Sequence, residues 1–159
     1  IHALRERNLI NSPDDKVKIV YHPDFITPVS PINLHEYEQF VRGCHLGIFP
    51  SYYEPWGYTP LECVALGIPT VTSSLSGFGD YVMKNLPDAA ERGIFVIDRQ
   101  SKNYKESVRQ LSEVLLTFVK QRRRDRIRQR YKVESNALDF DWSVLSRYYD
   151  EAYLLASRK

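Results

Sequence analysis

The sequence predicts an α/β fold in which a parallel sheet is flanked by helices and followed by C-terminal helices. Short apolar runs of strand length alternate with longer segments of helical periodicity, and helical patterns then dominate the last third of the chain. Such alternation is typical of βαβ units. With 159 residues, 43% of them hydrophobic, and a mean hydropathy of -0.42, the chain fits one globular domain or part of a larger one.

The predicted strands are four short, mainly apolar segments: 17–21, which is rich in β-branched residues, 45–50, 69–73 and 93–98. The first of them ends at His22 and Pro23, and the second is expected to be buried. Strands joined through helices run parallel. Ligands of parallel sheets bind at the carboxyl ends of the strands, so the loop after residues 45–50 is the first candidate site.

The predicted helices cover residues 34–42, a segment from Thr59 to just before Gly67, an amphipathic segment marked by Val108, Leu111, Leu115 and Phe118, and residues 142–156. Residues 1–9 resemble the end of a helix already under way, and position 1 is not Met. We therefore expect a fragment of a longer protein. Residues 25–34 include Pro28 and Pro31 and predict a loop.

Composition excludes several classes of protein. An aromatic content of 13% argues against disorder, and the longest apolar runs are far short of the ~20 residues that cross a bilayer. Cys44 and Cys63 are the only cysteines, which excludes a disulfide scaffold and indicates a reducing, cytoplasmic setting. No secretory signal is visible at the start of the sequence.

The loop after the second predicted strand carries two glutamates, Glu54 and Glu62. Pro55 and Gly57 keep the first glutamate out of a helix. Thr59 is expected to cap the following helix, with Pro60 at its first position and Glu62 at its third. The free N–H groups at such a helix start favour an anion such as a diphosphate.

Each of these residues also has a purely structural interpretation. Glu62 fits a capping box after a threonine cap. Glu54 fits a solvated carboxylate in an exposed loop, and Trp56 fits packing in or beside the core. Taken one at a time, the residues leave these alternatives open.

The whole segment 42–62 resembles the sugar-nucleotide loop of animal and fungal glycogen synthases, the family 3 glycosyltransferases. Glu54 and Glu62 match the E-x₇-E pair of retaining transferases, and residues 74–79 and the arginine-rich segment match the family as well. The resemblance covers roughly residues 15–156. It implies a partial, Rossmann-like C-terminal domain of a two-domain GT-B glycosyltransferase, with a nucleotide-sugar-binding part at 1–105 and regulatory and oligomerisation helices at 106–159.

The resemblance also implies roles in binding UDP-glucose. Glu54 would be catalytic, holding the donor glucose and stabilising charge at its anomeric carbon. Glu62 would accept hydrogen bonds from the ribose, and the ring of Tyr37 would stack on uracil. The remaining donor-site residues implied are Trp56, Gly57, Tyr58 and Thr59, the last three of which would bind the diphosphate.

The implied reaction is transfer of glucose from UDP-glucose to the 4-hydroxyl at the non-reducing end of a glucan, with retention. It needs no metal and no other cofactor, because cationic side chains offset the charge of the departing UDP. In the family those cations are an arginine and a lysine that precede the region present here. The resemblance therefore implies that this chain alone is inactive.

Eight basic residues and one acidic residue lie between Lys120 and Lys132, whereas the whole chain has a net charge of +2. Such a run is usually a solvated face, and binding of nucleic acid is disfavoured because the rest of the chain is acidic. By resemblance, glucose-6-phosphate would bind Arg123, Arg124, Arg126 and Arg130. Lys132 and Ser135 depart from the family pattern, which has arginine there.

The resemblance further implies a homotetramer, with glycogenin as a possible partner and with neither nucleic acid nor a membrane as a partner. Two other functions stay open at this point. Another retaining GT-B transferase would share the architecture but use a different acceptor, and the arginine segment argues against it. A non-catalytic nucleotide-binding or assembly module would keep the fold without transferring sugar.

Overall fold

A computed structural model describes residues 2–29 and 35–158. Their contacts form two compact units, Ile1–His35 and Glu36–Lys159. The second unit contains a three-stranded parallel sheet with flanking helices and further helices at its C-terminal end, so the predicted fold class is confirmed. The division of the chain at residue 105 stays a prediction.

The first unit contains one short helix, α1 (His2–Glu6). The strand predicted at residues 17–21 is wrong, because these residues form no ladder with any strand among residues 2–29 and 35–158. The side-chain amide of Asn11 instead donates a hydrogen bond to the carbonyl of Ile19 at 2.7 Å and accepts one from the N–H of Ile19 at 2.8 Å. Val17 and Val20 are largely exposed, so the β-branched pattern here does not reflect burial.

The sheet of the second unit consists of β1 (Gly47–Ile48), β2 (Thr70–Ser73) and β3 (Ile94–Ile97) in the order β1-β2-β3. Every residue of the central strand β2 is buried. The expectation that the strand within residues 45–50 is buried was wrong, because β1 is a two-residue edge strand and Ile48 is 41% exposed.

The helices of the second unit are α2 (Tyr37–Gly43), α3 (Tyr58–Ala65), α4 (Gly77–Asn85), α5 (Tyr104–Lys120), α6 (Arg123–Asn136) and α7 (Trp142–Ser157). A 3₁₀ turn, Ala137–Phe140, precedes α7. The helix predicted at residues 34–42 corresponds to α2. Residue 34, where that prediction begins, lies outside the described residues. Helix α4 was not predicted from the sequence. It begins at a serine cap, since the hydroxyl of Ser76 accepts from the N–H of Gly79 at 2.9 Å.

The basic segment opens a new helix rather than extending α5. Gln121 and Arg122 have extended backbone angles, so the chain turns before α6 begins. In α5 the predicted apolar stripe is shifted slightly, because Val108 is exposed whereas Ser107 is buried. The hydroxyl of Ser107 donates to the carbonyl of Asp98 at 3.0 Å and fixes α5 to the end of β3.

The main core lies between the sheet and three helices. Its buried members are Val64, Phe78, Val82, Ala89, Ile94, Val133 and Phe140. A smaller cluster joins α2 to α3 through Val41, Cys63 and Ile68. Both α2 and α6 therefore pack on α3, the helix that follows the candidate loop. None of the helices in the described parts of the chain is long and apolar enough to cross a membrane.

Candidate functional site

The loop between β1 and α3 is hydrogen-bonded to the turn between β2 and α4. The N–H of Glu54 donates to the carbonyl of Leu75 at 3.3 Å, and the N–H of Gly77 donates to the carbonyl of Glu54 at 3.0 Å. The buried hydroxyl of Ser73 adds a third contact by donating to the carbonyl of Ser51 at 2.6 Å. Both segments follow parallel strands, so half-buried Glu54 lies at the carboxyl edge of the sheet.

These hydrogen bonds depend on a glycine at the start of α4. A Cβ atom at Gly77 would lie 2.2 Å from the carbonyl oxygen of Pro55, well inside contact distance. The N–H of the next residue, Phe78, donates to the carbonyl of Trp56 at 2.7 Å. The two backbones thus approach more closely than any residue with a side chain would allow.

The start of α3 differs from the predicted one. The N-cap is Gly57, not Thr59, and no side chain caps the helix. Gly57 has φ 115° and ψ 69°, a left-handed conformation that strongly favours glycine, and it turns the loop directly into the helix. Thr59 and Pro60 consequently lie inside the first turn, and Glu62 lies beyond the position of a capping box.

Within the part of the chain that the structure describes, the first turn of α3 still presents backbone donors without an acceptor. The N–H groups of Tyr58 and Thr59 precede any acceptor within the helix, and both residues are exposed. The side chain of Glu54 lies beside this turn, since its Cγ is 3.6 Å from the Cβ position of Gly57. The structure therefore brings four of the predicted donor-site residues to one helix tip.

Tyr37 and Glu62 also come together, although they are 25 residues apart in sequence. The Tyr37 hydroxyl donates to Oε2 of Glu62 at 3.0 Å, and these two side chains line a depression of about 190 Å³ between α2 and α3. Partial burial and the bond to the carboxylate raise the pKa of Tyr37 to about 12. The phenol therefore keeps its proton, and continues to donate, to a higher pH than an ordinary tyrosine.

Trp56 takes the packing role that the sequence left open. Its ring contacts Phe78 at a centroid distance of 6.1 Å and Tyr81 at 5.9 Å, and it packs against the main core. The indole thus attaches the candidate loop to the main core by apolar packing.

The four predicted phosphate-binding arginines are all on α6, but they differ in surroundings. Arg123 and Arg124 are exposed, whereas Arg126 and Arg130 are half-buried. Arg122, directly before the first of them, precedes the helix as its N-cap. Among the described residues, only Arg130 of the four donates side-chain hydrogen bonds, to the carbonyls of Arg42 and Cys44.

Arg99, which was not predicted as a site residue, is a cation at the same edge of the sheet. Its guanidinium lies 3.7 Å from the ring centroid of Tyr52 and donates to the carbonyl of Pro50 at 2.5 Å. The two residues help to line a surface cavity of about 290 Å³ between the candidate loop and α5. A basic residue directly after the predicted strand 93–98 was the available signal, because the carboxyl ends of parallel strands meet at one edge.

The chain is similar in sequence to a known protein family along its whole length. A sequence model of the family described as glycogen synthase matches residues 1–159. The chain is 48% identical to a glycogen (starch) synthase of Caenorhabditis elegans over 156 residues. This alignment covers 98% of this chain and 23% of that protein. The chain is 47% identical over 159 residues to the liver enzyme of Mus musculus, covering 99% of this chain and 23% of that protein.

A fungal relative is also similar over the whole length of the chain. The glycogen (starch) synthase of Neurospora crassa is 43% identical over 159 residues, covering 100% of this chain and 22% of that protein. The chain thus spans just under a quarter of the length of the curated relatives that it matches.

Proposed function

The chain belongs to the glycogen synthase family, and from this premise we propose that the whole protein transfers glucose from UDP-glucose to the non-reducing end of an α-1,4-glucan with retention. The residues present here supply part of the donor site. The observation that carries the proposal is the contact between Tyr37 and Glu62 at 3.0 Å, beside the helix tip that Glu54 adjoins.

In this proposal the nucleoside lies in the depression between α2 and α3. The ring of Tyr37 stacks on uracil, and its hydroxyl holds Oε2 of Glu62. The other carboxylate oxygen, Oε1, then accepts from the ribose hydroxyls. A neutral, hydrogen-bonded phenol keeps both side chains in fixed orientations, which reduces the entropy lost on binding.

The diphosphate would bind at the tip of α3. The N–H groups of Gly57, Tyr58 and Thr59, the Thr59 hydroxyl and the helix dipole all favour an anion there. Trp56 supports this segment through its packing on Phe78 and Tyr81. Glu54, next to the same tip, would then face the glucose and stabilise positive charge at its anomeric carbon as UDP departs.

The nucleoside proposal predicts how UDP stabilises the whole protein. UDP at 100 times its dissociation constant should add about 2.7 kcal/mol to the free energy of unfolding. Tyr37→Ala should weaken UDP binding about 10-fold by removing the stacking ring, as measured by thermal shift and calorimetry. Tyr153→Ala, which removes an exposed ring on α7, is the control and should bind UDP normally. Equal affinities for all three proteins would contradict the proposal.

We also propose that glucose-6-phosphate binds Arg123, Arg124, Arg126 and Arg130 on α6 and that four copies of the protein assemble. Exposed Arg123 and Arg124 and half-buried Arg126 offer guanidinium groups suited to bidentate phosphate contacts. A glucan acceptor follows from the reaction itself. A cytoplasmic location and an association with glycogenin stay predictions.

The phosphate proposal predicts a loss of stimulation. Replacing Arg123, Arg124 and Arg126 together by alanine should raise the half-maximal concentration of glucose-6-phosphate at least ~10-fold, because charge-assisted contacts are lost. Basal activity should stay unchanged. Arg109→Ala on α5, where Glu106 and Glu113 already pair with the arginine, is the control. An unaltered response in the triple variant would refute this role.

A further inference from the structure

We propose that Arg130 is a positioning residue for the nucleotide site: it holds the C-terminal end of α2 and thereby fixes Tyr37 at the other end of that helix. This inference rests on the proposed function for its consequence in catalysis, but not for the contacts that carry it. It links the arginine-rich helix α6 to the depression in which UDP would bind.

The contacts are two hydrogen bonds across a sequence distance of more than 80 residues. Nη1 of Arg130 donates to the carbonyl of Cys44 at 3.3 Å, and Nη2 donates to the carbonyl of Arg42 at 3.0 Å. Arg42 is in the last turn of α2, and Cys44 is its C-cap. The last carbonyls of a helix have no partner within it, and a cation there also interacts favourably with the helix dipole.

Helix α2 depends on such outside support. It has only seven residues and no side-chain cap at its N-terminal end, and helices of this length are not stable alone in water. Val41 is its only buried residue, packed with Cys63 and Ile68. The helix is thus held near its middle by packing, at one end by Arg130, and at the other by the bond from Tyr37 to Glu62.

Arg130 itself comes from a firmly packed part of α6. Val133, one turn further along, is fully buried in the main core. Gly67, two residues after α3, lies next to this part of α6, since a Cβ there would be 3.5 Å from the carbonyl oxygen of Arg130. Because α6 is fixed against α3 and Arg130 joins it to α2, loss of this guanidinium should loosen α2 relative to Glu62.

The first test measures α2 directly, in the whole protein and without nucleotide. Arg130→Ala should speed amide hydrogen exchange in residues 38–44 about 10-fold, because bonds that stabilise the helix end are lost. Arg130→Lys should give an intermediate rate, since one ammonium group can still reach a carbonyl. Arg128→Ala is the control: it removes an exposed arginine of the same helix that lies 3.8 Å from Asp125. Unchanged exchange in Arg130→Ala would overturn the inference.

The second test measures the link to Tyr37 by a double-mutant cycle on UDP affinity. Arg130→Ala should raise the dissociation constant about fivefold, yet it should change little when Tyr37 is already alanine, because both act through one ring. Arg130→Lys should recover part of the affinity. Multiplicative effects of the two changes would overturn the link. If the unaltered protein bound no UDP but exchange in α2 responded as expected, the proposed function would fail while the positioning of α2 by Arg130 would stand.

Discussion

Glu54→Gln in the whole protein should lower kcat for glucose transfer at least ~100-fold while leaving the affinity for UDP within about twofold. Glutamine keeps the size of the side chain and removes its charge, so the loss reports electrostatic stabilisation of the developing positive centre, about 2.7 kcal/mol in the activation free energy. The backbone bonds of Glu54 to Leu75 and Gly77 do not involve the side chain and should persist.

The control for this change is Glu91→Gln. Glu91 is an exposed carboxylate shortly before β3, at the amino edge of the sheet and thus away from the candidate loop. It should leave steady-state kinetics unchanged. Near-normal turnover in Glu54→Gln would remove the catalytic role assigned to that residue, and a comparable loss in both variants would attribute the effect to general charge.

Gly77→Ala should destabilise the protein by about 3 kcal/mol, which lowers the thermal midpoint by several degrees. The added Cβ would lie 2.2 Å from the carbonyl of Pro55, so the loop and the start of α4 must move apart. The bond between Gly77 and Glu54 should weaken, and the altered position of Glu54 should reduce kcat as well. Differential scanning calorimetry and initial rates measure the two effects.

Gly43→Ala is the matched control because it adds the same methyl group in open space. Nothing lies within 4 Å of a Cβ at Gly43, and alanine favours the helical conformation there. Its thermal midpoint should stay the same or rise. Equal midpoints for Gly77→Ala and the unaltered protein would mean that the close approach does not hold the loop.

Local pattern predicted the parts of the fold that are buried. β2 and β3 were found because their residues pack on the core and show apolar and β-branched patterning. Residues 17–21 have the same patterning but no strand partner, and pairing depends on distant parts of the chain. Likewise, α4 was missed because two glycines at its start obscure the helical signal, although Ser76 caps it.

The candidate site was predictable as a set of residues but not as a set of contacts. The resemblance grouped Tyr37 with Glu62, whereas their hydrogen bond follows only from the packing of α2 on α3. At the tip of α3, the conformational freedom of Gly57 outweighed the capping preference of Thr59. The bonds from Arg130 to α2 span most of the unit, and no local pattern indicates them.

A structure of the whole protein with bound UDP would show where the nucleotide lies. We expect uracil against the ring of Tyr37, ribose hydroxyls at Glu62, and the diphosphate at the N–H groups of Tyr58 and Thr59. The proposed donor site would be wrong if UDP bound elsewhere while the hydrogen bond between Tyr37 and Glu62 was in place and the tip of α3 was unoccupied.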